Sequence, residues 1–190
     1  MNEKEIIRKK FLEKRKLLNK IYIKKMSYKI SLRMNRIIPY NKKHYNIFLP
    51  IKNNNEFNTF FIIDFLLKKK KCITVPYSNF RNFSIKNCIY NKKTILKKNP
   101  FGIMEPVYKK IIPNHLIEVI FIPLIIFDIN GYRIGYGKGF YDRMIPLCKK
   151  NLLKIGMSFF HPIKSIGSIH KHDIYLDIGV TPDSIFFFKK

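Results

Sequence analysis

Residues 116–143 read LIEVIFIPLIIFDINGYRIGYGKGFYDR, an apolar run that passes directly into a cluster of glycines. The segment 116–128 is apolar almost throughout, as a strand covered on both faces requires. The chain holds eight glycines, and Gly131, Gly135, Gly137 and Gly139 fall within nine residues. From about Gly139 the pattern turns helical, with Pro146 placed to shorten or kink the helix. Strand, glycine loop and helix in succession is the joint of an α/β protein. In such proteins ligands bind beyond the carboxyl ends of the strands.

The flanking sequence repeats the alternation. Residues 2–37 show helical spacing as one basic region, with Ile6, Ile7, Phe11, Leu17, Leu18 and Ile21 as its apolar stripe, and Pro39 ends it. HYNIFLP (44–50) reads as a strand, KNNNEFN as a loop, TFFIIDFLLKKKK (59–71) as a helix and CITVPY (72–77) as a strand. The stretch from Arg81 to Asn99 has room for a hairpin, NPFGIMEP (99–106) is a turn-rich loop, and LLKIGMSF (152–159) is a further buried strand. These features predict a single three-layer α/β/α domain over 1–190 with a mostly parallel central sheet. The N-terminal basic helix 2–37 is expected to pack on an α/β core of 44–190.

Composition narrows the setting. The 190 residues carry 38 Lys and Arg against 12 Asp and Glu, a formal charge of +26. Such a charge ordinarily suggests nucleic acid or an anionic membrane. Here Ala, Gln and Trp are absent while Lys, Ile, Asn, Phe and Tyr abound, so A/T-rich codon drift explains the bias more simply. Cys72, Cys88 and Cys148 are odd in number and widely spaced, which argues against a disulfide framework and fits a reducing compartment. The stretch MNEKEIIRKKFLEKRKLL lacks the apolar core of a signal peptide, and VIFIPLIIF (119–127) is too short to span a bilayer. A cytoplasmic protein, with no membrane partner and no specific nucleic-acid partner, is the expectation.

Glycines at the end of a strand let backbone N–H groups approach an anion without a Cβ in the way. Arg133 and Lys138 add charge to the same loop, so its expected ligand is a phosphate group. Neither G-x-x-x-x-G-K-[ST] nor G-x-G-x-x-G fits the spacing. Asp142 follows one turn later, and a carboxylate beside phosphates calls for a cation between them, which suits Mg²⁺. The plain alternative is that Asp142 complements the helix dipole or pairs with Arg143.

The stretch FDINGYRIGYGKGFYDR closely resembles the signature of the 5-formyltetrahydrofolate cyclo-ligase family, FD-x-x-G-x-R-[LI]-G-x-G-x-G-[YF]-Y-D. Further landmarks follow in the family's order: Lys4 and Arg8 four apart, FLP at 48–50, Glu56 and Thr59, FGIMEP at 101–106, and HDIYLDIGVTPDSIF at the end. The resemblance implies ATP-driven closure of 5-formyltetrahydrofolate to 5,10-methenyltetrahydrofolate, with Mg²⁺ as the metal and a monomeric enzyme. It implies that Lys4, Arg8 and the loop Arg133, Ile134, Gly135, Tyr136, Gly137, Lys138, Gly139, Phe140 and Tyr141 bind ATP. Arg133 and Lys138 are then the catalytic cations, and Asp142 and Asp173 the magnesium ligands. Glu56, Leu49 or Ile51, and Tyr136 to Phe140 would contact the folate. Glu105 is expected to brace a loop or cap a helix. Leu124 departs from the pattern, standing where relatives often have glycine. The competing reading is a basic nucleic-acid-binding protein on an α/β scaffold.

Overall fold

The computed structural model describes residues 2–188; residues 1, 189 and 190 of the expected 1–190 span lie outside the described residues. The helices are α1 (Glu3–Lys16), α2 (Lys20–Ile37), α3 (Phe60–Lys68) and α4 (Phe140–Met144). The strands begin with β1 (His44–Ile47), β2 (Cys72–Asn79), β3 (Ser84–Tyr90), β4 (Leu96–Lys98), β5 (Met104–Pro106) and β6 (Ile111–Ile112). They continue with β7 (Val119–Ile122), β8 (Ile126–Phe127), β9 (Arg133–Ile134), β10 (Leu153–Met157), β11 (Ile178–Val180) and β12 (Ile185–Phe187). Eight strands form one sheet in the order β12-β11-β10-β7-β1-β2-β3-β6. The five from β11 to β2 run parallel, and antiparallel strands finish both edges.

The expected three layers are present because β7 alternates between two cores. Val119 and Phe121 join Ile30 and Met34 of α2 and Ile62, Ile63 and Leu66 of α3 on one face. Ile120 and Ile122 join Leu124, Met144, Leu152 and Leu176 on the other, where α4 lies. A third cluster, Phe11, Ile125, Ile126, Ile134 and Ile166, seats α1 against the segment that follows β7.

Three sequence expectations need correction. The helical region 2–37 is two helices, not one. Asn19 accepts the Tyr22 N–H at 2.7 Å and starts α2 afresh. The Asn55 side-chain amide lies 3.1, 3.2 and 3.0 Å from the carbonyl oxygens of Arg15, Lys16 and Leu18, covering the orphan acceptors at the end of α1. The apolar run 116–128 is likewise not one strand. Pro123 cannot donate to a ladder, so β7 stops at Ile122 and β8 starts separately at Ile126. Within the 99–106 loop, Met104–Pro106 pairs with Leu96–Lys98 as β5 with β4. The room for a hairpin is filled by β3, which pairs back on β2. The helix after the glycines is short, as Pro146 implied, and passes into a 3-10 turn at Ile145–Leu147. All three cysteines are free.

Asn55 also takes the left-handed conformation, with φ 49°, which asparagine tolerates better than most residues. Asn55→Ala removes the cap and adds backbone strain, so it is expected to cost about 1–2 kcal/mol. Asn55→Gly, which relieves only the strain, should recover part of that loss in urea melts.

Candidate active site

The chain crosses from one side of β1 to the other between β2 and β7, and the loops after β1, β7 and β10 converge at their carboxyl ends. This is the switch point at which open α/β sheets bind ligands. A recess there is lined by Arg15, Glu56, Phe57, Leu124, Met157 and Phe160 among others.

The glycine loop is more constructed than a plain strand-to-helix turn. It folds back as the β8–β9 hairpin, pairing Ile126 with Ile134 and Phe127 with Arg133. Asp128, 1% exposed, closes the turn. Its Oδ1 accepts the N–H groups of Asn130 and Tyr132, both at 3.0 Å, and its Oδ2 accepts Ile166 N–H at 3.2 Å. Beyond the hairpin the Gly135 carbonyl accepts from Arg8 Nε at 2.9 Å. Gly137 has φ 86°, and a Cβ there would lie 3.4 Å from the Arg8 guanidinium carbon. Only glycine lets the backbone turn this way so close to the arginine.

The charged residues form two linked pairs. Lys4 Nζ donates to Asp173 Oδ2. Arg133 Nη2 donates to Asp142 Oδ1 at 2.8 Å, and its Nη1 donates to the Ile174 carbonyl. Ile174 N–H reaches Asp142 Oδ1 at 3.4 Å, which joins the pairs. Asp142 therefore partners Arg133, and the sequence alternative of an Arg143 pair does not hold. Arg143 donates instead to the Lys138 carbonyl at 2.7 Å. Burial pushes the Asp173 carboxyl up, but the hydrogen bonds from Lys4 and from His170 N–H, with their charges, hold it below its ordinary value. Lys138 is exposed, with no ion-pair partner among the described residues. Since α4 has five residues, the helix dipole adds less than the sequence suggested, and the positive field comes mainly from Lys4, Arg8, Arg133 and Lys138.

Each of the two carboxylates leaves one oxygen, Oδ2 of Asp142 and Oδ1 of Asp173, without a hydrogen-bond partner among the described residues. No cluster of three or more His, Cys, Asp or Glu side chains among those residues could hold a metal. Two carboxylate oxygens suit Mg²⁺, which keeps waters and takes the rest of its shell from phosphates.

On the other side of the loop lies a buried polar triad. Tyr136 OH donates to Glu56 Oε1, Arg15 Nη2 donates to Tyr136 OH, and Ile51 N–H donates to Glu56 Oε2 at 2.7 Å. Glu56 is 7% exposed. Burial raises its pKa, against the opposing pull of Ile51 N–H, Tyr136 OH and Arg15. Burial and the neighbouring Glu56 charge raise the Tyr136 phenol in turn.

Several expected contacts are turned elsewhere. Leu49 and Ile134 are core side chains, which leaves Ile134 only its backbone for a ligand. Phe140 meets Phe80 and Phe83 edge to face at 5.1 and 5.7 Å. Tyr141 packs against the α4-side core, its hydroxyl buried without a hydrogen-bond partner among the described residues. Glu105 braces the end of β2 through Ser78 N–H at 2.9 Å. Leu124 fits its departure from the pattern by packing closely over Gly156. Sequence reasoning passed over Arg15, Asn55 and Asp128. Lys4, Arg8 and Arg15 stand at i, i+4 and i+11, one helical face, so Arg15 was visible in the spacing.

Residues 1–182 match the family model described as the 5-formyltetrahydrofolate cyclo-ligase family. The chain belongs to the 5-formyltetrahydrofolate cyclo-ligase family. It is accordingly an enzyme of the ligase class. A cyclo-ligase of Mycoplasma genitalium is 33% identical over 84% of this chain and 86% of that protein. The Haemophilus influenzae cyclo-ligase is 30% identical over 60% of this chain, a match that spans 63% of that protein. The solved Aquifex aeolicus 5,10-methenyltetrahydrofolate synthetase superposes with a TM-score of 0.83 at 27% identity, covering 100% of this chain and 94% of that one. Among the described residues no helix is long and apolar enough to cross a membrane.

Proposed function

We propose that this chain converts 5-formyltetrahydrofolate to 5,10-methenyltetrahydrofolate while ATP becomes ADP and phosphate. One observation carries the reading: residues 133–142 touch both halves of the site. Arg133 binds Asp142 and Gly135 binds Arg8 on the cationic side, while Tyr136 binds Glu56 on the buried side. A loop placed so can present phosphates to a folate across a few residues.

The chemistry accounts for the two halves. The N5-formyl group is amide-like, so its carbon is a poor electrophile and its oxygen a poor leaving group. Transfer of the γ-phosphoryl group to that oxygen gives an iminium phosphate. N10 then attacks the carbon and loses its proton, the C–O bond breaks, and phosphate departs. Alignment and charge neutralisation are what the protein supplies. Lys4, Arg8, Arg133 and Lys138 would bind the phosphate oxygens, and glycine backbone N–H groups would add donors. Asp142 and Asp173 would hold Mg²⁺, which supplies charge neutralisation to the phosphates when bound. Glu56 would accept hydrogen bonds from the pterin and hold the formyl group toward the loop.

The test is a turnover assay on the purified protein with 5-formyltetrahydrofolate and Mg²⁺, with and without ATP, following the absorbance of methenyltetrahydrofolate. ATP-dependent product is expected, falling about 10²-fold in Asp142→Asn. Folded, ATP-binding protein that forms no product would overturn the reading. So would turnover indifferent to Asp142.

A further inference from the structure

We propose that Arg15 is a specificity-determining residue, donating from Nε to the C4 carbonyl oxygen of the pterin while Glu56 accepts from the adjoining N–H groups. The inference rests on the folate reading above. Arg15 is 4% exposed and lines the recess at the carboxyl ends of the strands, together with Glu56. Two arms of its guanidinium are spoken for. Nη1 donates to the Leu124 carbonyl at 3.2 Å, and Nη2 to Tyr136 OH. Nε is buried and has no hydrogen-bond partner among the described residues. A charged donor buried in this state is costly, and native structures keep few of them. At the mouth of a ligand recess it is a group reserved for an acceptor that arrives with the ligand.

The neighbouring carboxylate identifies that acceptor. Each oxygen of Glu56 keeps lone-pair capacity beyond the single bond it receives from Tyr136 or Ile51. Arg15 and Glu56, bridged by Tyr136 OH, thus offer one donor beside two acceptors. The pyrimidine edge of a reduced pterin carries the complement in the same order: the C4 carbonyl oxygen, N3–H and the 2-amino group. The Phe57, Leu124, Met157 and Phe160 side chains around the pair are apolar; the recess among them holds about 10 Å³, room for one water, so a flat ring enters by displacing them. Two anchored arms fix the orientation of the third. The discrimination therefore comes from geometry that a lysine cannot reproduce.

The 4-amino analogue of 5-formyltetrahydrofolate places a donor where the carbonyl oxygen was and has no hydrogen on N3, so it meets Arg15 donor to donor and gives Glu56 one N–H fewer. The experiment compares KM for the substrate with the inhibition constant of that analogue in wild type, Arg15→Lys and Arg15→Met, with KM for ATP measured alongside. Wild type should favour the 4-oxo ring by tenfold or more. Both variants should narrow the preference at least about fivefold, the share that Glu56 takes from N3–H remaining, with substrate KM raised and ATP KM changed less than about threefold. Arg15→Lys keeps the charge and guards against a failure of Arg15→Met to fold. A wild-type preference retained in a folded variant overturns the proposal. So does an equal rise in both KM values, since that marks a merely structural role. Wild-type protein without ATP-dependent turnover would instead sink the functional reading, so the two failures are distinguishable.

Discussion

Arg133→Ala is expected to lower kcat/KM by about 10³-fold while leaving a folded protein. The Arg133 side chain is 6% exposed, and its two terminal nitrogens hold Asp142 and the Ile174 carbonyl together. Without it a cation is lost beside the phosphates. The Asp142 carboxylate, formerly neutralised, is left facing them, and the 173–174 segment loses its tie to the loop. These losses act on the same transition state, so they compound. Arg133→Lys should recover less than about tenfold, because one ammonium cannot span both acceptors as the planar fork does. The double variant Arg133→Ala with Asp142→Asn separates stability from catalysis. It removes the unpaired charge, so its thermal midpoint should exceed that of Arg133→Ala alone, yet turnover should stay at the lower level. Recovery of turnover in the double variant would show that Arg133 serves only to neutralise Asp142.

The sequence revealed the fold class and the loop, and the reasons lie in particular residues. Continuous apolar runs such as 119–122 and 155–157 need cover on both faces, and few architectures provide it. The crowded glycines marked the loop: Gly131, Gly137 and Gly139 take positive φ, a backbone that side chains resist. The boundaries were less legible. Helical spacing continues through Leu17–Asn19 without interruption. The break there depends on Asn55, 36 residues beyond Asn19, whose amide covers the carbonyls of Arg15, Lys16 and Leu18. Asn19 is the one local trace of the break, and the cap supplied from the remote loop leaves none. Pro123 was visible but was outweighed by the hydrophobicity around it. Arg15 shares a helical face with Lys4 and Arg8, but composition diluted that signal, since in a chain with 38 basic residues one more cation in a basic helix carries little information. Its burial sets it apart, and burial became apparent only once α1 was docked on the loop.

Asp128 shows the same gap between a recognised motif and its physical work, and Asp128→Ala is expected to have the largest effect on stability. The FD pair reads as part of a signature, and Asp128 is buried within the scaffold of the loop. Its carboxylate accepts three backbone N–H groups, two within its own turn and one from Ile166 across the chain. Beside it, Ile129 N–H donates to the Ile163 carbonyl at 2.9 Å, and Asp128 and Ile163 form a parallel bridge. The residue thus joins the hairpin under the glycine loop to the segment that follows β10. Alanine would orphan three donors at once, one buried and two part-buried, for a loss on the order of 4 kcal/mol by urea denaturation, a large share of a domain's total. Asp128→Asn should cost about half as much, because one oxygen remains while an amide N–H is turned toward another N–H. Since that damage lies in the scaffold of the loop, saturating ATP should raise the midpoint of Asp128→Asn, as binding linkage requires. Unchanged stability in Asp128→Ala would mean that the turn is held by Gly131 and the β8–β9 pairing alone.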